Sequence, residues 1–257
     1  EFNSSIIQTV RPAAVMTDQI ETINKKVDEA AQQINDIFRF IKLNDTVPIQ
    51  EIKRDIIPII KEAVEIPHLY YLFEELNRKD EYTYRHNICV AVIGGLIGKW
   101  MGLPEEQIRE VELAGIMHDI GKTYVPEYIL NKPGKLTESE YKEIKRHTLY
   151  GYQLLRKTPN IPDSVALAAL QHHERENGLG YPFQLIGEQI HLVSKIIAVA
   201  DVFHAMSSSR VYREADPFHK VIRRMNDDLY GAFNPSVMFV FLSNIMETML
   251  GKKVQLS

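Results

Sequence analysis

Apolar residues recur along this chain at helical spacing almost throughout. Ile20, Ile23, Val27, Ala30, Ile34, Ile37 and Ile41 alternate steps of three and four, the a/d pattern of a helix seam, with Thr17 and Asp18 placed to cap it. A stripe so narrow fits either a helix packed on its own protein or the seam of a homodimer through residues 17–41; the pattern leaves both open. Pro48 starts the next periodic segment, Ile49 to Val64, and Pro67 opens a short one ending near Asn77. Residues 77–81, NRKDE, lack apolar anchors and mark a boundary. Helices are then predicted at about 83–101, 104–119, 138–157, 162–173, 190–206, 217–229 and 235–250. Pro104, Pro162 and Pro235 suit first helical positions, Thr137 with Glu140 reads as a capping box, Asn234 as an N-cap and Gly251 as a stop.

The longest non-helical connections are predicted at 123–136 and 174–189, a length often tied to function. There is no sustained strand alternation, repeat or low-complexity tract, and neither a G-x-G-x-x-G turn nor a Walker P-loop. The prediction is an all-α chain in two parts: a helical accessory region over 1–80 and a second domain over 81–257.

Composition narrows the class. The 257 residues are 45% hydrophobic and 25% charged, enough to build a core without staples. A net charge of −4 supplies no basic field for a nucleic acid polymer. Cys89 is the single cysteine, which excludes an intrachain disulfide and points to a reducing, cytoplasmic setting; among apolar neighbours it reads as a small buried hydrophobe. No apolar run reaches membrane-spanning length, and the opening EFNSSIIQTV is not read as a signal peptide.

The placement of the nine histidines carries the chemistry. His86, His118, His147 and the pair His172-His173 fall in or at the ends of separate helical segments, with Asp119 beside His118 and Asp201 closing the apolar run KIIAVAD. An aspartate after such a run is costly to bury unless it is paired, hydrogen-bonded or on a metal. The steps from His86 to His118, His147, His172 and Asp201 are 32, 29, 25 and 29 residues, each about one helix plus one connection. In a bundle, that spacing sends ligands from successive helices to one interior point. Imidazoles with carboxylates suit Zn, Fe, Mn or Ni. Seven such side chains exceed the need of one ion, so two ions sharing a carboxylate are expected. Such a pair can hold a hydroxide between the ions and clamp the oxygens of a phosphoryl displacement. His68, His191, His204 and His219 are read as structural.

HHERENGLGYP at 172–182 resembles the signature of HD-GYP domains, a branch of the HD superfamily of metal-dependent phosphohydrolases. HDIGK at 118–122, His147, AVADVFHAMSSSRVYR at 198–213 and FNP at 233–235 match in order, so the resemblance covers about 82–250. It implies an HD-type helical bundle with a di- or trinuclear centre, commonly of iron or manganese. It also implies hydrolysis of cyclic di-GMP to the linear dinucleotide pGpG and GMP, with a related cyclic GMP-AMP as substrate in some members.

Carried over by position, His86, His118, Asp119, His147, His172, His173 and Asp201 resemble the metal ligands, with Asp119 bridging and catalytic. Lys122 resembles the lysine that faces the scissile phosphate. Gly180, Tyr181 and Pro182 match the GYP turn near the substrate, and Arg210 and Arg213 match basic substrate contacts. Tyr181 could stack on a base or pack in the turn beside Pro182. The sequence departs from the family pattern twice. Tyr82 stands where trinuclear members carry a glutamate, which favours two metals, and Asn177 replaces a common aspartate, keeping a turn-forming side chain but losing a charge. Two alternatives remain: another cyclic dinucleotide as substrate, and a cyclic-di-GMP-binding module of low turnover, against which the intact ligand set argues.

Overall fold

The structure, a computed structural model, describes residues 14–66, 84–208, 218–227 and 231–247, with side chains from 21 onward. Those residues form helices joined by turns, with no β-ladder beyond one isolated bridge between Asn177 and Ile186. The helices are α1 (Ala14–Asn44), α2 (Ile49–Glu51), α3 (Ile57–Val64), α4 (Tyr84–Trp100), α5 (Glu105–Met117), α6 (Glu127–Leu130), α7 (Glu138–Lys145), α8 (His147–Lys157), α9 (Asp163–Gln171), α10 (Leu192–Ser207), α11 (Phe218–Asp227) and α12 (Pro235–Glu247).

Helix α4 is apolar on every side, so it has to be central. α1, α3, α5, α10 and α12 all pack against it, while α9 joins α5, α8 and α10. Cys89 lies within α4, fully buried, and burial pushes its thiol up to about 12. It is the inert small hydrophobe its neighbours predict.

The stripe on α1 faces inward. Val27, Ala30, Ile34 and Ile41 are fully buried within the chain, in one continuous core with α3 and α4. Of the two readings left open for the stripe, the internal packing face is the one seen from Ile23 to Ile41, where the chain's own helices cover it. A polar tie reinforces the packing, since buried Arg85 of α4 pairs with Asp28 and reaches Asn24 Oδ1 at 3.5 Å. The expected boundary at 77–81 lies outside the described residues.

Local differences from the predicted elements have backbone causes. The segment 49–64 is interrupted by a π-helical turn, Ile52–Ile56, where the Ile57 amide bonds Ile52 O. Pro58 has no N–H to give to the carbonyl four residues back, and the wider turn accommodates that gap. The expected helix 138–157 breaks at Arg146 into α7 and α8. The expected loop 123–136 holds α6, preceded by a 3₁₀ turn, Ile120–Tyr124. Two caps fall where the sequence puts them: Thr137 and Glu140 form a capping box, and Asn234 Oδ1 accepts the amides of Ser236 and Val237; Thr17 and Asp18, expected to cap α1, instead lie inside it, since it begins at Ala14. No helix among the described residues is long and apolar enough to cross a membrane.

One buried acid of α5 has no such role in sequence. Glu112 is 1% exposed, and its Oε2 makes no hydrogen bond. Burial, with Glu105 adding repulsion, pushes its carboxyl up from 4.5 to about 7. Between those values the folded state holds a proton that the unfolded chain has released, so stability falls as pH rises through the window. Glu112→Gln is therefore expected to stabilise the protein by roughly 2–3 kcal/mol at pH 8 and by much less at pH 5. Chemical denaturation at both pH values checks this; a gain equal at both would remove the ionisation account.

Candidate metal centre

Four helix ends deliver imidazoles to one buried carboxylate. Asp119 follows α5 and opens the 3₁₀ turn. Its Oδ2 lies 3.4 Å from His118 Nε2, and its Oδ1 lies 3.4 Å from His147 Nε2 and 3.8 Å from His172 Nε2. The 3₁₀ turn can sit this close to α8 because residue 121 is glycine: a Cβ there would fall 1.8 Å from the carbonyl oxygen of His147. The break at Arg146 in turn sets His147 at the first position of α8.

The three imidazoles share one orientation. His118 Nδ1 bonds Gly115 O at 2.7 Å, His147 Nδ1 bonds Ile144 O at 2.6 Å, and His172 Nδ1 lies 3.0 Å from Ala168 O. A carbonyl can only accept, so each Nδ1 carries the proton and each Nε2 turns a lone pair toward Asp119. Backbone carbonyls that set the tautomer in this way are the usual outer support of metal-binding histidines. Burial pushes His147 and His172 below their ordinary values, and His173 down to about 3, so all three are neutral near pH 7. Burial alone would raise Asp119, yet the Lys122 ammonium at 2.5 Å holds its carboxyl well below the usual range, and Asp119 in turn raises His118 against the effect of burial.

Two groups of donor atoms result: Asp119, His147, His172 and His173, and His86, His118 and Asp119, each within 4.8 Å. Asp119 belongs to both. Asp201 of α10 joins the second side, 3.1 Å from His86 Nε2. His118 Nε2 and Asp119 Oδ1 are buried and make no hydrogen bond. Orphaned acceptors of this kind, among neutral imidazoles and ionised carboxylates, are what a cation would satisfy. The donor set fits transition-metal ions.

A loop closes the centre on one side. Glu174, buried, accepts the amides of Phe183 at 2.7 Å and Leu185 at 3.0 Å. Gly180 has no room for a side chain, since a Cβ would lie 2.4 Å from Glu174 Cα. Asn177 Oδ1 accepts the Leu179 amide, so the turn survives without the usual aspartate. Tyr181 stacks on His173, with ring centroids 4.5 Å apart. One face of its ring is thus already covered, while the side chain still lines the cavity above the centre. Lys122 lines that cavity too, and Gly180 shapes the loop beside it. Arg210, Arg213, Tyr82 and His68 lie outside the described residues, as does the side chain of His219.

Sequence reasoning missed two residues. His204, read as structural, lies with its Nδ1 2.8 Å from His86 Nδ1, so one ring donates to the other and the His86 ring is held in place. Its signal was the spacing Asp201–His204, one turn of the same helix face. Arg175 donates from Nη1 to the carbonyls of His172 and Glu174, pinning the turn that carries the histidine pair. His191 caps α10 by accepting the Val193 amide, as a structural reading expects.

The chain is similar to several known proteins. A cyclic di-GMP phosphodiesterase of Pseudomonas aeruginosa is 33% identical over 95% of this chain and 59% of its own length. A cyclic di-GMP phosphodiesterase of Thermotoga maritima is 38% identical over 68% of this chain and 49% of its own. A 3′3′-cGAMP-specific phosphodiesterase of Vibrio cholerae is 37% identical over 62% and 35%. The chain thus spans between a third and three fifths of these relatives. An HDG"Y"P protein of Bdellovibrio bacteriovorus shares the fold, with a TM-score of 0.66 at 15% identity over 90% of this chain and 78% of that one. Residues 71–232 match the HD domain, and by that match the chain belongs to the HD domain family.

Proposed function

We propose that this chain is a metal-dependent phosphodiesterase of the HD-GYP type that hydrolyses cyclic di-GMP to linear pGpG, GMP or both. The observation that carries the reading is one carboxylate, Asp119, shared by two groups of imidazoles on the floor of a cavity that Lys122 also lines. The names of the relatives support the substrate class.

His86, His118, Asp119 and Asp201 would hold one ion, and Asp119, His147, His172 and His173 a second, with iron or manganese suited to this mix of nitrogen and oxygen donors. Two such ions supply Lewis acidity, which activates water and offsets charge on the phosphoryl oxygens. The chain's own residues do the rest. Carbonyl-bonded Nδ1 atoms keep the imidazoles from rotating, and burial keeps those of His147 and His172 from taking a proton. Lys122, 34% exposed in its side chain, sets its ammonium against Asp119 with room to meet a phosphoryl oxygen in the cavity. A compact cation there opposes the charge that grows on the phosphate as the ester bond breaks.

Protein purified without chelator is expected to carry two metals per chain by elemental analysis and to release pGpG or GMP from cyclic di-GMP when loaded with Mn(II) or anaerobic Fe(II). Metal-loaded protein that binds cyclic di-GMP without turnover would instead make it a binding module. Two cGAMP-specific relatives are 37% and 39% identical, within the 33% to 50% of three cyclic di-GMP relatives, so cyclic GMP-AMP is the second substrate to assay. The ratio of kcat/KM for the two dinucleotides decides between them.

A further inference from the structure

The cavity above the candidate centre does not end within the part of the chain that carries the histidines. It has a volume of about 840 Å³, and Asn35, Phe38, Arg39 and Lys42 of α1 are among its lining residues. That helix is held in place by its buried stripe and by the Asp28–Arg85 pair, one residue from His86. Just past its C-terminal end, Asp45 accepts the hydroxyl of Tyr124 in the turn that carries Lys122, and Lys42 Nζ lies 2.6 Å from Oε1 of Glu127, the first residue of α6.

A cyclic dinucleotide carries two phosphodiesters on opposite sides of its ring. With one beside Lys122, the other needs a cation elsewhere. Among the described lining residues, Arg175 is committed to two backbone carbonyls and Arg85 is committed to Asp28. Arg39 and Lys42 are different. Both are exposed, they lie three residues apart on one face of α1, and both line the cavity that Tyr84 also lines. The Lys42–Glu127 pair is solvent-exposed and therefore weak, so it can yield to a phosphate.

We infer that α1 completes the substrate site: Arg39 and Lys42 bind the distal phosphodiester of a cyclic dinucleotide. The inference rests on the cyclic-dinucleotide reading above and gives the N-terminal helix a part in substrate specificity as well as in packing.

The test is steady-state kinetics of the full chain loaded with Mn(II), on cyclic di-GMP, cyclic GMP-AMP and bis(p-nitrophenyl) phosphate, a diester with no second phosphate. Arg39→Ala with Lys42→Ala is expected to raise KM for the preferred dinucleotide by about tenfold to a hundredfold, the value of losing charge-assisted hydrogen bonds. The kcat/KM ratio of dinucleotide to small diester should fall by a similar factor. The charge-conserving pair Arg39→Lys with Lys42→Arg should recover most of the loss. Equal losses on both substrates, or an unchanged dinucleotide KM, would overturn the distal subsite while leaving the phosphodiesterase reading in place. Wild-type protein that turns over the small diester but neither dinucleotide would overturn the substrate reading and the subsite with it.

Discussion

Asp119→Ala protein is expected to hydrolyse no cyclic di-GMP above background and to lose most of its metal. Asp119 is the one side chain common to both groups of donor atoms, and its Oδ1 and Oδ2 face different histidines. Removing it would deprive both ions of the proposed pair of a charged ligand, and three neutral imidazoles around an emptied position hold a divalent cation weakly. Asp119→Asn tests charge separately from shape. The amide keeps the volume and one acceptor but not the negative charge, so metal content should fall there as well. Elemental analysis after gel filtration, with turnover measured in excess Mn(II), reads both effects, and circular dichroism checks the fold. Wild-type metal content and turnover in either variant would remove Asp119 from the centre.

Lys122→Ala should behave in the opposite way with respect to metal. Its ammonium lies 2.5 Å from Asp119 Oδ2, so it competes with bound cations for that carboxylate. Deleting it should leave metal content equal to wild type or slightly higher. Turnover should nevertheless fall by about 100-fold to 1000-fold, the usual value of an electrostatic donor to a reacting oxyanion. The loss should appear mainly in kcat, because the charge it opposes grows in the transition state. Loss of metal in this variant would make Lys122 a structural partner of Asp119, and an unchanged rate would take it out of the reaction.

The element order was legible along the chain, because helical periodicity, prolines and caps are local signals. Thr137 with Glu140 and Asn234 cap where the pattern puts them. The candidate ligands were legible for a related reason: a histidine at the end of each successive helical segment, a helix and a loop apart, is a pattern that chance rarely makes, and the HD-GYP motif strengthens it. The breaks inside elements were not legible. The split at Arg146 depends on His147 reaching both Ile144 O and the Asp119 region, and Asp119 lies 28 positions away in sequence.

The sequence by itself determined an all-α chain and the candidate ligand set, since periodicity and motif are properties of neighbouring positions. Only the tertiary structure decided which partner each face meets. An a/d stripe is equally apolar whether a second copy or the chain's own α4 covers it, and here Val27 and Ile34 lie in the internal core. A histidine one turn beyond Asp201 is equally plausible as a helix surface residue or as the support of His86, and the 2.8 Å approach of His204 settles that position. Pairing across distant segments depends on how whole helices dock, and docking is set by the summed burial of many side chains rather than by any local pattern.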